Sequence, residues 1–90
     1  MKYTFDAKKD GVNLLKHQIS LEQAAHLDWH DALIWQDSRQ DYGEARQAAL
    51  VPMKQRLYFI AFVDRKAVRR VISLRRANKR ELDRYEEEIN

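Results

Sequence analysis

Ninety residues with a net charge of +3 and no cysteine describe one small domain, residues 1–90, and exclude a disulfide framework, a thiolate metal site and a thiol nucleophile. The charge is split, with five basic and eight acidic side chains in residues 1–45 but twelve basic and six acidic in residues 46–90, so a polyanion footprint is expected in the second half. The longest apolar run, Leu57 to Val63, is far too short to span a bilayer, and the expectation is a cytoplasmic protein without membrane contact.

Tyr3-Thr4-Phe5 reads as a short edge strand, and Asp6 is placed to cap a helix from about Ala7 to His17. Val12, Leu15 and Ile19 are spaced for its inward face, leaving Lys8, Lys9 and Asp10 to solvent, while Gly11 costs it roughly 1 kcal/mol against alanine. Ser20-Leu21-Glu22-Gln23 has the form of a capping box and predicts a second, short helix. Ala32 to Trp35 fits a strand and residues 36–43 a loop, while residues 45–51 fit an Ala-rich helix or, favoured because of the strand that follows, a strand, and Pro52 ends it in both cases. Trp29 and Trp35 are expected to be exposed aromatics open to a partner. His26 and His30 are four apart, but that spacing alone makes no metal site.

Leu57 to Val63 is apolar throughout and rich in β-formers, the pattern of a central strand covered on both faces. A turn at Asp64-Arg65-Lys66 leads into its hairpin partner, Ala67 to Arg75. Alternation puts Arg69, Val71, Ser73 and Arg75 on one face of that strand, so Arg69, Ser73 and Arg75 stand in a row suited to successive phosphates. Asn78-Lys79-Arg80-Glu81 is a second capping box and starts the last helix at Lys79, docked by Leu82, Tyr85 and Ile89. Eight Lys or Arg and no acidic residue lie between Arg65 and Arg80, and the open helix N-terminus adds partial positive charge beside them. The element order gives an α+β class: an antiparallel sheet of about four strands with two N-terminal helices and one C-terminal helix.

Two stretches carry a resemblance. Asp6, Lys9, Asn13, Lys16, His17, Ile19, Ser20, Glu22 and Ala24 resemble the opening signature of the BrnT toxins, and Val71 to Ala77 with Lys79-Arg80-Glu81 and Tyr85-Glu86 is similar to their closing one. The chain departs from the pattern at Gln18, where the family has glycine, and at Leu21, Gln47 and Leu74. The resemblance implies a RelE-like fold and a ribonuclease toxin of a type II toxin-antitoxin system that inhibits translation. It implies neutralisation by a BrnA-type antitoxin with a DNA-binding domain, RNA as substrate, the ribosome as a candidate partner, and no cofactor.

A metal-independent ribonuclease lets the 2′-hydroxyl attack phosphorus, so it must accept that proton, stabilise phosphoryl charge and protonate the leaving oxygen. On this reading Arg75 and Arg76 clamp the scissile phosphate, Ser73 donates a hydrogen bond, and Lys79 or Arg80 stabilises the extra charge. His17 is the residue type for proton exchange near neutral pH, against the alternative of a cationic helix end. Glu81 is a cap first and a candidate base second. Arg69, Arg70, Arg80, Lys16 and Arg84 are the expected RNA contacts. Arg76 has a structural alternative as an ion-pair partner of Glu81 or Asp83, and Tyr85 one as a core anchor. The competing function is a non-catalytic nucleic-acid-binding module or an antitoxin-interaction protein using the same basic face.

Overall fold

The computed structural model describes residues 1–89. In chain order they form β1 (Lys2–Thr4), α1 (Ala7–His17), 3₁₀ helices at Leu21–His26 and Trp29–Asp31, β2 (Leu33–Gln36), β3 (Gln47–Met53), β4 (Arg56–Arg65), β5 (Val68–Arg76) and α2 (Lys79–Ile89). The strands lie in the order β1-β5-β4-β3-β2. The fold is α+β as expected, but the sheet has five strands and is mixed, because β1 runs parallel to β5 along Lys2–Thr4. The opening Tyr3-Thr4 alternation is a true edge strand, tied in by Lys2 N–H donating to Ala67 O at 2.9 Å. The expected second helix is a 3₁₀ turn.

β4 is the middle strand, and its apolar run is buried on both sides: Tyr58, Ile60 and Phe62 on one face, Phe59 and Ala61 on the other. The first face, here the α1 face, closes against Leu21 and Ala24 of the first 3₁₀ segment and Leu27 just after it. The second, the α2 face, holds Ala48, Leu50, Phe59 and Ala61, and Leu33, Trp35, Ala77 and Tyr85 pack against them. Tyr85 anchors α2 across the sheet, its hydroxyl donating to Asp31 O at 2.6 Å. Burial, with Asp31 and Asp28 nearby, pushes that phenol above its ordinary value.

A β-bulge overturns the expected row of Arg69, Ser73 and Arg75. Ala61 pairs with Ser73 but Phe62 pairs with Val71, so Ile72 is an extra residue on β5. The inserted residue switches the alternation: Val71 and Leu74, three apart, both join the α1-face core. Arg69 therefore sits on the α1 face over Phe62, and Arg75 on the α2 face over Phe59.

α1 is turned over relative to expectation. Its buried residue is Asn13, whereas Val12 and Leu15 are exposed. The cause lies in β5, which β1 accompanies only as far as Arg70, leaving the backbone beyond without a strand partner on the edge away from β4. Asn13 takes that place, Nδ2 donating to Leu74 O at 2.7 Å and Oδ1 accepting from Leu74 N–H at 3.1 Å. A buried amide satisfying two peptide groups outweighs the apolar stripe. Asp10 is drawn inward too, accepting from Ser20 Oγ at 2.9 Å and Leu21 N–H at 2.7 Å, so Ser20 caps its turn with Asp10 and not Gln23 as partner.

Pro52 does not end β3, which continues to Met53. β2 pairs only with Gln47 to Leu50, so Pro52 lies where β3 is an edge and its missing N–H costs no ladder bond. Its carbonyl accepts from Asp28 N–H at 2.8 Å.

Candidate nucleic-acid interface and active site

On the α2 face four arginines gather around aromatic rings. The Arg75 guanidinium lies 4.3 Å from the Phe59 ring centroid and donates from Nη1 and Nη2 to Glu81 Oε1 and Oε2, both at 2.9 Å. Glu81 is itself fixed by the capping box read from the sequence: Oε1 accepts from Asn78 N–H at 2.9 Å, and Glu81 N–H donates to Asn78 Oδ1 at 2.9 Å. Partial burial pushes the Glu81 carboxyl up, but Arg75, the Asn78 N–H and Arg80 outweigh it and hold it below its ordinary value. The pair is a charged, oriented unit that leaves the Arg75 side chain 30% exposed.

Arg39 reaches the same ring, 5.9 Å from the Phe59 centroid. Its Nε and Nη2 donate to Asp37 Oδ1 and Oδ2, each at 2.8 Å, and Tyr42 Oη donates to Asp37 Oδ2 at 3.2 Å. Asp37 is buried, and the Arg39 hydrogen bonds hold its carboxyl below the ordinary value against the opposing effect of burial. Arg46 stacks 3.7 Å from the Tyr42 ring centroid, with its buried Nε lacking any partner among the described residues. Arg84 covers Trp35 at 4.2 Å.

The expected site residues thus divide between the faces. Arg75, Glu81 and Arg84 belong to the α2 face, with Lys79 paired to Asp83 at 3.3 Å and Arg80 exposed at the start of α2. Arg70 binds Glu44 through Nη2 at 2.8 and 2.9 Å. Arg69 is a packing residue: 11% exposed, bound to Asp64 at 2.7 and 2.9 Å, and lying 4.2 Å from the Trp29 ring centroid. Trp29, expected to be exposed, is enclosed by this stack, by Phe62 and by its own Nε1 donating to Ala24 O at 2.8 Å.

His17 and Arg76 are on the α1 side, where they line a groove of about 250 Å³ with Arg56 and Tyr58. Arg76 is exposed and has no ion pair among the described residues; Glu81 pairs with Arg75 instead. Lys16 and Ser73 line the adjoining groove beside α1. Arg75 and Arg76 therefore cannot close on one phosphate from a shared face, because neighbours in a strand point to opposite sides.

Sequence reasoning missed Asp37, Arg39, Tyr42 and Arg46. Asp37, Arg39 and Tyr42 come from the stretch that reads as a loop of turn composition, and Arg46 from the stretch that reads as a strand. One signal was available: two arginines, an aspartate and a tyrosine inside ten residues are more functional side chains than a turn requires.

The family model for the ribonuclease toxin BrnT of type II toxin-antitoxin systems matches residues 5–81. The chain belongs to the BrnT family. This makes it a member of a family of ribonuclease toxins, and a toxin of that type has an antitoxin as its partner. The BrnT match contains Asp37, Arg39, Tyr42, Arg46, Arg75 and Glu81, and Arg84 falls beyond it. No individual curated protein matches the chain. Among the described residues no helix is long and apolar enough to cross a membrane, and no three His, Asp or Glu are placed to share a metal ion.

Proposed function

We propose that the α2 face is the catalytic face of a ribonuclease toxin that cleaves RNA by metal-independent transesterification and thereby inhibits translation. The observation that carries this reading is the convergence of Arg75 and Arg39 on the Phe59 ring beside the ionised, doubly anchored Glu81. Guanidinium groups recognise phosphate in bidentate fashion, and here they are pre-oriented by carboxylates and aromatic faces, so little reorganisation is needed when charge develops on phosphorus.

In the proposed step the scissile phosphate takes the place of one Glu81 oxygen on Arg75 and is braced by Arg39 and Arg46. Glu81 accepts the 2′-hydroxyl proton as oxygen attacks phosphorus. The bond to the 5′-oxygen breaks, that oxygen takes a proton from water, the resulting hydroxide takes the proton held by Glu81, and a 2′,3′-cyclic phosphate remains. Arg80, Arg84 and Arg70 flank this centre as contacts for neighbouring phosphates, and a BrnA-type antitoxin with a DNA-binding domain holds the toxin inactive in the complex.

The test is cleavage of labelled single-stranded RNA in EDTA by the purified chain and by Arg75→Ala. The expected result is cyclic phosphate ends from wild type and a loss of about 100-fold in the variant, the scale of removing one oriented transition-state donor. Salt-dependent binding by wild type without cleavage, on free RNA and on ribosomes, would instead identify a binding module.

A further inference from the structure

We infer that the groove between α1 and the outer edge of β5 is the docking site for an acidic, amphipathic segment of the antitoxin. The groove, about 290 Å³, has an apolar floor of Val12 and Ile72 and a basic rim that includes Lys8, Lys9 and Lys16. Among the described residues no carboxylate lines it. Beside it the outer surface of α1 is apolar where water is expected to meet polar groups: Leu15 is 82% exposed, Val12 53% and Leu14 51%.

This inverted polarity follows from the fold. Because Asn13 and Asp10 are committed to Leu74 and Leu21, the helix turns its amide and carboxylate inward and its leucines outward. Exposed apolar side chains gathered on one helix mark a surface that a partner covers. Lysines alone would suit RNA as well as protein, but RNA phosphates gain nothing from Leu15 and Val12. A polypeptide with apolar side chains flanked by Asp or Glu satisfies both halves of the surface. Lys8 to Lys16 spans about 12 Å of helix, about two turns of a partner helix. The inference rests on the toxin having an antitoxin, not on which face cleaves RNA.

The experiment uses the full chain and its cognate antitoxin, with affinity measured by calorimetry for wild type, Val12→Glu/Leu15→Glu and Lys8→Glu/Lys9→Glu. All four positions are solvent-facing, and circular dichroism checks the fold. Each double variant is expected to weaken antitoxin binding by roughly tenfold to a hundredfold, the scale of losing interface anchors, with RNA cleavage by the free toxin retained. Unchanged antitoxin affinity in both variants would overturn the inference. So would a selective loss of RNA affinity in the lysine variant, which would make the groove an RNA track. If either variant misfolds, hydrogen exchange of the wild-type complex decides: slowed exchange of the α1 amides supports docking there, and unchanged exchange contradicts it.

Discussion

The two faces of the sheet use arginine in opposite ways. On the α1 face Arg69 is enclosed between Trp29, Phe62 and Asp64 and has become part of the core. On the α2 face Arg75 has the same kinds of partner, an aromatic ring and a carboxylate, yet keeps 30% of its side chain in solvent against 11% for Arg69. Pairing does not separate a structural arginine from a functional one; what remains open to a ligand does. The bulge at Ile72 creates the contrast, because it sends residues six apart in one strand to opposite faces.

If the α1 side is scaffold and the α2 side is site, cutting the first should cost stability and cutting the second should cost rate. The largest stability effect is expected for Asn13→Ala, which leaves the buried Leu74 N–H and C=O without partners, at about 1–3 kcal/mol for each unsatisfied group. Urea denaturation measures it, and a loss below about 1 kcal/mol would mean that water replaces the amide. Arg69→Ala is expected to lose about 2 kcal/mol through its ion pair and two ring contacts, with cleavage per folded molecule unchanged. A rate loss without a stability loss would return Arg69 to the RNA path.

A smaller effect is expected in acid. Glu81 and Asp37 are held below their ordinary 4.5 and 3.8, so the unfolded chain takes up these protons first as pH falls. Their stabilisation is complete above about pH 4.5 and is lost as pH drops through the folded-state values. Glu81→Gln and Asp37→Asn should therefore be less stable at neutral pH and flatter in an acid titration followed by fluorescence; an unaltered acid profile would show that other carboxylates govern it. The smallest change is a gain. Gln18 caps α1 in the left-handed region at φ 57°, and Gln18→Gly should raise stability by about 0.5–1 kcal/mol, read from the denaturation midpoint. No gain would mean that the Gln18 Nε2 bond to Leu15 O offsets the strain.

Much of this fold was legible in the sequence because local signals agreed with the global arrangement. The apolar run of β4, the Asp6 cap and the Asn78–Glu81 box each survive as read. The readings failed where a long-range contact overrode a local pattern. Nothing local announces that Asn13 will serve as an edge partner for Leu74, 61 residues away, so the spacing of Val12, Leu15 and Ile19 predicts the wrong face of α1. Alternation likewise carries no trace of the bulge, since polar and apolar residues sit on both faces of β5. The candidate site was half legible: Arg75 and Glu81 stand in a motif, but Asp37, Arg39, Tyr42 and Arg46 converge only once β2 and β3 pair.

The most direct test sets the two faces against each other in one assay: RNA cleavage by Arg39→Ala/Arg75→Ala and by His17→Ala/Arg76→Ala, each shown to be folded. The α2-face variant is predicted to lose cleavage by about 100-fold or more, while the α1-side variant stays within about threefold of wild type, a change of less than 1 kcal/mol. The reverse pattern, with cleavage lost in the His17/Arg76 variant and kept in the other, would contradict the assignment and move the active site to the groove beside α1.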